Sequence, residues 1–242
     1  MSLSWPRRLE VALSPAGAAW RANGARGDCQ GAPAAAFAAA LAAAPAAAKR
    51  VHVTLGGSLV HYLALPWPEA LADADEAEGA AYAAHHFRRV FGEAADSWTC
   101  RFDAEEGPVR LACAAARALL EELQDAARAA HRRIESVQPF LVGAFNSWRG
   151  EFANSGPGAL FVTLEPGRWC AARLAGGEWR ALQSGRLEED VASALVALVA
   201  RESALAGEDL PVRVYAPAFP ALGAQLEGLG DRIKLLHARA AH

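Results

Sequence analysis

The alternation of apolar and polar positions is sharpest over residues 159–187, ALFVTLEPGRWCAARLAGGEWRALQSGRL, and predicts three short strands in a meander. Leu160, Val162 and Leu164 fall on one face, Glu165-Pro166-Gly167 turns, residues 169–174 return, and Gly176-Gly177 turns again into 179–184. The start of the chain repeats the shape. Leu9, Val11 and Leu13 alternate, Ser14-Pro15-Ala16-Gly17 turns, and residues 18–22 return. LEVALSPAG and LFVTLEPG share pattern and turn chemistry, which predicts two related halves facing each other across a cleft.

Between these hairpins, residues 23–32 are polar and glycine-rich and read as a loop, and 34–44 as a helix entered at Pro33 with Phe37 and Leu41 on one face. Residues 50–67 alternate as strand through Val51, Val53 and Leu55, turn at Gly56-Gly57-Ser58, and stop at Pro66-Trp67-Pro68. Residues 69–92 predict one long helix, acidic at its start and basic at its end, which complements the helix dipole. Strands at 97–103 and 108–113, a helix over 115–133, a strand at 134–138 and a helix over 140–148 complete the first half, and 151–158 reads as a linker. After the meander come a helix at 188–206, a strand at 210–216, a helix at 219–229 and a strand at 233–237. That order, βββαβαβ, is the order of a ribonuclease-H-like domain, with a sheet antiparallel in the meander and parallel across the helical crossovers.

Composition narrows the partners. The net charge of −3 and the lack of a basic stripe argue against nucleic acid. The four cysteines are widely spaced and mostly in apolar runs, which predicts reduced thiols in a reducing compartment. The alanine-rich 33–48 is interrupted by Pro45, the N-terminus has no apolar signal core, and the ending LLHARAAH shows no span; the expectation is a cytoplasmic protein.

Two halves that each open on such a hairpin resemble the actin-like ATPase superfamily. After Leu55 a strand–helix–strand unit, about 58–103, reads as an insertion; its LALPWPEAL, acidic helix and FGEAADSWTCRF resemble the PilM- and GspL-type cytoplasmic proteins of type IV pilus and type II secretion systems. The resemblance implies an α/β fold of two ribonuclease-H-like (actin-like) halves with mixed sheets: 1–150 carrying the insertion, and a reduced 158–242. Active members hold nucleotide phosphate on Asp-x-Gly turns in both hairpins. The matching positions here are Ser14 and Gly17, with no carboxylate, and Glu165 and Gly167, with a longer acid, so both read as relic phosphate turns. Where the family has Gly-Gly before its adenosine-binding helix, this chain has Ala216-Pro217-Ala218-Phe219, and proline removes a donor. No catalytic residue, metal site or cofactor is therefore expected; ATP with magnesium is what an active relative would take. The implied function is a non-catalytic adaptor binding the cytoplasmic tail of an inner-membrane pilus or secretion protein, at the inner face of that membrane. The alternative is a small ATPase or kinase-type enzyme with an atypical site, and an orphan domain with homodimer contacts stays open.

The aromatic residues Trp67 and Trp98, at the end and start of strands in the inserted unit, are the candidate partner-binding residues, against a role closing the core. Other candidates favour structural roles. His85 and His86 are adjacent on a helix and point about 100° apart, unsuited to sharing a metal. His52 and His61 read as hydrogen-bonded strand histidines, Ser58 lacks a nucleophile elbow, and Asp103 with Glu105-Glu106 reads as a solvated hairpin tip.

Overall fold

The computed structural model describes residues 8–72, 74–103, 107–152, 158–226 and 232–237. In chain order the elements are β1 (Arg8–Ser14), β2 (Gly17–Ala22), β3 (Ala25–Gln30), α1 (Pro33–Ala43) and β4 (Arg50–Leu55). Then come β5 (His61–Pro66), α2 (Glu76–Phe91), β6 (Trp98–Phe102) and β7 (Val109–Ala116), followed by α3 (Arg117–Ala129), β8 (Arg133–Pro139) and α4 (Phe140–Phe152). The last run is β9 (Ala159–Glu165), β10 (Arg168–Ala175), β11 (Glu178–Arg186), α5 (Val191–Ala206), β12 (Val212–Tyr215), α6 (Leu222–Leu226) and β13 (Ile233–Leu236).

Two five-stranded sheets carry the same strand order, β3-β2-β1-β4-β8 and β11-β10-β9-β12-β13. In the first, β1 runs antiparallel to β2 and parallel to β4, which runs parallel to β8. In the second, β9 runs antiparallel to β10 and parallel to β12, which runs parallel to β13. The duplicated hairpin in the sequence thus reports a duplicated topology. A separate three-stranded sheet has the order β5-β7-β6. The chain divides into two compact units: Met1–His61 with Ala84–Arg101 and Cys113–Gly143, and Tyr62–Ala83 with Phe102–Ala112 and Ala144–His242.

In the first unit β1 alternates, burying Leu9, Val11 and Leu13, and Phe37 and Leu41 of α1 are buried as their spacing predicts. In the second, β9 is buried along almost its whole length because it is the central strand, and ALFVTL accordingly reads as a continuous apolar run. Leu160, Val162 and Leu164 pack with Leu195, Leu198 and Val199 of α5 and Val212 and Val214 of β12.

The structure corrects four local expectations. Residues 23–32 are not a loop: Asn23 (φ 52°) and Gly24 (φ 82°) form a two-residue turn into β3, a connection that Asn-Gly favours because both positions need positive φ. The helix expected over 69–92 is broken into a short turn at Glu69–Leu71 and α2, whose start is set at Asp75. There Asp75 Oδ1 accepts from the Glu78 amide (2.9 Å) while Glu78 Oε2 accepts from the Asp75 amide (3.3 Å), a reciprocal capping box. Strand β7 continues through Ala116, so α3 begins at Arg117. Helix α4 extends to the buried Phe152 and takes in the first part of the expected linker. Of that linker, 153–157 lie outside the described residues, as do Glu105 and Glu106 and the end of the helix expected at 219–229. Among the described residues no helix is long and apolar enough to cross a membrane.

Candidate functional site

The turn of Ser14 to Gly17 belongs to the first unit. Ser14 Oγ donates to the Gly17 carbonyl and accepts from the Ala16 amide, both at 3.3 Å, and the Ala16 carbonyl accepts from the Gly31 amide at 3.0 Å. The serine hydroxyl thus braces its own turn. Gly17 is required for packing: a Cβ there would fall on the Cys29 carbonyl of β3. The second turn belongs to the second unit. Pro166 followed by Gly167 at φ +75° has the signature of a type II turn, which needs glycine for its backbone alone. The half-buried Glu165 pairs across that turn with Arg168 in the β9–β10 register, and the Gly167 carbonyl accepts from the Leu187 amide at 3.1 Å. After β12, the Phe219 amide donates to the Ala216 carbonyl at 3.0 Å, and Pro217 has no amide hydrogen.

The two candidate tryptophans lie in different units and differ in exposure. Trp67 is only 9% exposed. Its indole Nε1 donates to the Leu71 carbonyl at 2.8 Å, its ring stacks on Phe102 (centroids 5.0 Å apart, planes at 21°), and Tyr82 meets it edge-on at 5.3 Å. Trp98, in the first unit, is half-exposed. It stacks on His61 at 4.0 Å with the rings nearly parallel (8°), and Phe91 meets it edge-on at 5.3 Å. Phe91 is 37% exposed, so His61, Phe91 and Trp98 form an aromatic cluster that reaches the surface; Val90, the neighbour of Phe91 in sequence, is 59% exposed. Sequence reading found Trp98 but not Val90 and Phe91, whose exposure shows only once α2 is placed.

The remaining candidates take structural roles. His52 Nδ1 lies 2.8 Å from Ser136 Oγ and its Nε2 lies 3.0 Å from Glu135 Oε2, whose other oxygen is 3.2 Å from Arg50 Nε. A register shift after Val51 brings both β8 residues to His52, so the cluster ties β8 to β4. A hydrolytic triad is wired the other way, with its carboxylate on Nδ1. His85 and His86 stand perpendicular (88°) at 5.7 Å, and burial, then the charges of Arg89 and His85, pull His86 below its ordinary value. Ser58 sits in a tight turn at Gly57–Leu59. The Asp103 carboxylate accepts from Trp179 Nε1 at 3.3 Å rather than standing free at a hairpin tip.

No protein-family model matches the chain, and no curated protein matches it in sequence. Solved structures do match. A Bacteroides thetaiotaomicron VPI-5482 protein described as having an actin-like ATPase fold and unknown function superposes with a TM-score of 0.63 at 8% identity, covering 96% of this chain and 91% of that one. The chain has the actin-like ATPase fold. A chain of the PilM–PilN type IV pilus biogenesis complex gives a TM-score of 0.63 at 13% identity, covering 95% of this chain and 88% of its own. The cytoplasmic domain of EpsL, an inner-membrane component of the type II secretion system of Vibrio cholerae, gives 0.57 at 15%, covering 87% and 82%. Identities this low establish a shared fold.

Proposed function

We propose that this chain is a non-catalytic adaptor of a type IV pilus or type II secretion assembly, acting at the inner face of the inner membrane on the cytoplasmic segment of an inner-membrane partner. The observation that carries the reading is the first hairpin turn. It offers no carboxylate for metal or water, its one hydroxyl is spent bracing the turn, and its glycine answers to the Cys29 carbonyl. The likeness to chains of the PilM–PilN complex and of EpsL supports the setting, and the exposed Phe91 with the half-exposed Trp98 supplies the docking surface the reading needs. Trp67 is buried among Phe102, Tyr82 and Arg110 of its own unit.

A second reading, a small ATPase, has one observation in its favour: Glu165 keeps a carboxylate at the second turn. Thermal unfolding with and without magnesium and ATP separates the two. A nucleotide at 100 times its dissociation constant contributes about 2.7 kcal/mol; a shift abolished by Glu165→Ala replaces the adaptor reading with the enzyme. For the adaptor, wild type and a Phe91→Ala/Trp98→Ala variant are used to capture partners from detergent-solubilised native membranes. Recovery of a pilus or secretion membrane protein, lost in the variant while its unfolding midpoint is kept, supports the reading. Equal recovery by both removes the docking surface, and recovery of no membrane protein removes the adaptor.

A further inference from the structure

Arg110 is a buried cation with no anion beside it among the described residues. It is 6% exposed, and its Nε is fully buried with no acceptor among the described residues. No hydrogen bond or ion pair to its guanidinium is formed among those residues; its contacts are to ring faces, with Cζ 4.2 Å from the centre of Trp67 and 5.9 Å from that of Phe102. The polar tips of the surrounding aromatics are already engaged, Trp67 Nε1 by the Leu71 carbonyl and Tyr82 Oη by the Pro66 carbonyl. Arg132, also buried, instead donates to three carbonyls. A cation–π contact offsets only part of the cost of removing a guanidinium from water, and a buried charge is otherwise paired.

We propose that Arg110, backed by Trp67 and Phe102, is a carboxylate-binding subsite that takes an aspartate or glutamate side chain of a partner peptide. The inference rests on the adaptor reading and specifies its partner: an apolar segment carrying an acid. A guanidinium presents two parallel N–H groups that match one carboxylate bidentately, and its aromatic backing favours an acid flanked by apolar residues. One arginine supplies one positive charge, which balances a carboxylate and leaves a phosphate dianion undercompensated. An arginine held ready in this way lowers the stability of the unliganded protein, which gives the proposal a second readout.

The test uses the full chain and two probes, acetyl-Leu-Glu-Leu-amide and its Gln counterpart, with inorganic phosphate as a third arm. Binding is followed by the Arg110 Nε–H resonance, assigned by comparison with Arg110→Met, and by Trp fluorescence. The expected result is saturable binding of the Glu peptide, at least tenfold weaker binding of the Gln peptide and phosphate, and at least a tenfold loss in Arg110→Lys, which keeps charge without the fork. Arg110→Met is expected to lose the response and to raise the unfolding midpoint of the free protein by about 2 °C or more. Equal binding of Glu and Gln peptides, preferential binding of phosphate, or a lowered midpoint in Arg110→Met overturns the proposal. So does a midpoint gain that vanishes in a Glu105→Gln/Glu106→Gln background, since the anion would then come from the chain itself. Membrane capture keeps the two readings apart: a partner recovered equally by wild type and Arg110→Met sinks the subsite alone, and one recovered by neither sinks the adaptor.

Discussion

Gly17 lies so close to the Cys29 carbonyl that a Cβ would clash with its oxygen. The contact joins the first turn to β3, where Gly17 pairs with Gln30 at the end of the β2–β3 register. Gly17→Ala must push β3 away, an overpacking cost of roughly 1–3 kcal/mol. Urea unfolding measures it. A loss within about 0.3 kcal/mol would mean that β3 yields freely, and the packing account of this glycine would fall.

Arg132 is the second place where one side chain fixes a neighbouring element. Helix α1 has no basic residue in its last turn, and its end is met from outside: Arg132 donates to Leu41 (2.8 Å) in the last turn, to the cap residue Ala44 (2.9 Å) and to Ala48 (2.8 Å) in the segment leading to β4. Burial pulls its guanidinium below its ordinary value, yet three acceptors hold it charged. Arg132→Met leaves those carbonyls unsatisfied and is expected to cost about 3 kcal/mol by denaturant titration. Amide exchange is expected to rise selectively over residues 40–44.

What could be read from the residues follows from how their signals arise. The meander of β9–β11 and the βββαβαβ order were legible because central, doubly buried strands must be apolar and their turns need Gly or Pro. Strand β3 was not, because an edge strand with sequence ARGDCQ buries almost nothing; only Asn23-Gly24 announced it. The start of α2 was present as the Asp75…Glu78 spacing and was outweighed by the acidic run before it. At the candidate site, Trp67 was conspicuous for its type, but its role depends on Arg110, a single charge at an inward strand position whose significance appears only when the rings around it are placed.

Asp190 caps α5, its Oδ1 accepting from the Ser193 amide at 3.1 Å. The side-chain and backbone hydrogen bonds with Ser193 hold its carboxyl below its ordinary value. A carboxyl depressed on folding adds stability above its unfolded value and loses it as pH falls through the folded one. The stability gap between wild type and Asp190→Ala is therefore expected to be constant from about pH 7 to pH 5 and to shrink below the ordinary carboxylate range. A gap that widens on acidification would show that the charged form is not what the cap holds.

The cysteines should separate by reactivity. Burial pushes the Cys113 thiol up to about 11 and the Cys170 thiol up to about 12, and raises Cys100 as well. All four are free. Thiolate is the reacting form, so iodoacetamide at pH 8 is expected to modify Cys29 in the native protein and to reach Cys113 and Cys170 only after unfolding. Peptide mass mapping at successive times reads the order, and early labelling of Cys170 would contradict its burial in β10.

Phe152 decides whether the first part of the expected linker is structural. The side chain is fully buried, stacks on Phe145 (5.7 Å, 19°) seven residues earlier on α4, and tilts against Phe161 of β9 at 5.1 Å. Phe145 in turn lies 4.5 Å from Trp179 of β11, so one aromatic column joins α4 to the second sheet. Phe152→Ala opens a cavity in that column and is expected to cost about 3–5 kcal/mol. Trp179 emission should move to the red in the folded variant as water enters beside it. A linker residue in this position would cost less than about 0.5 kcal/mol, and denaturant unfolding followed at Trp179 distinguishes the two outcomes.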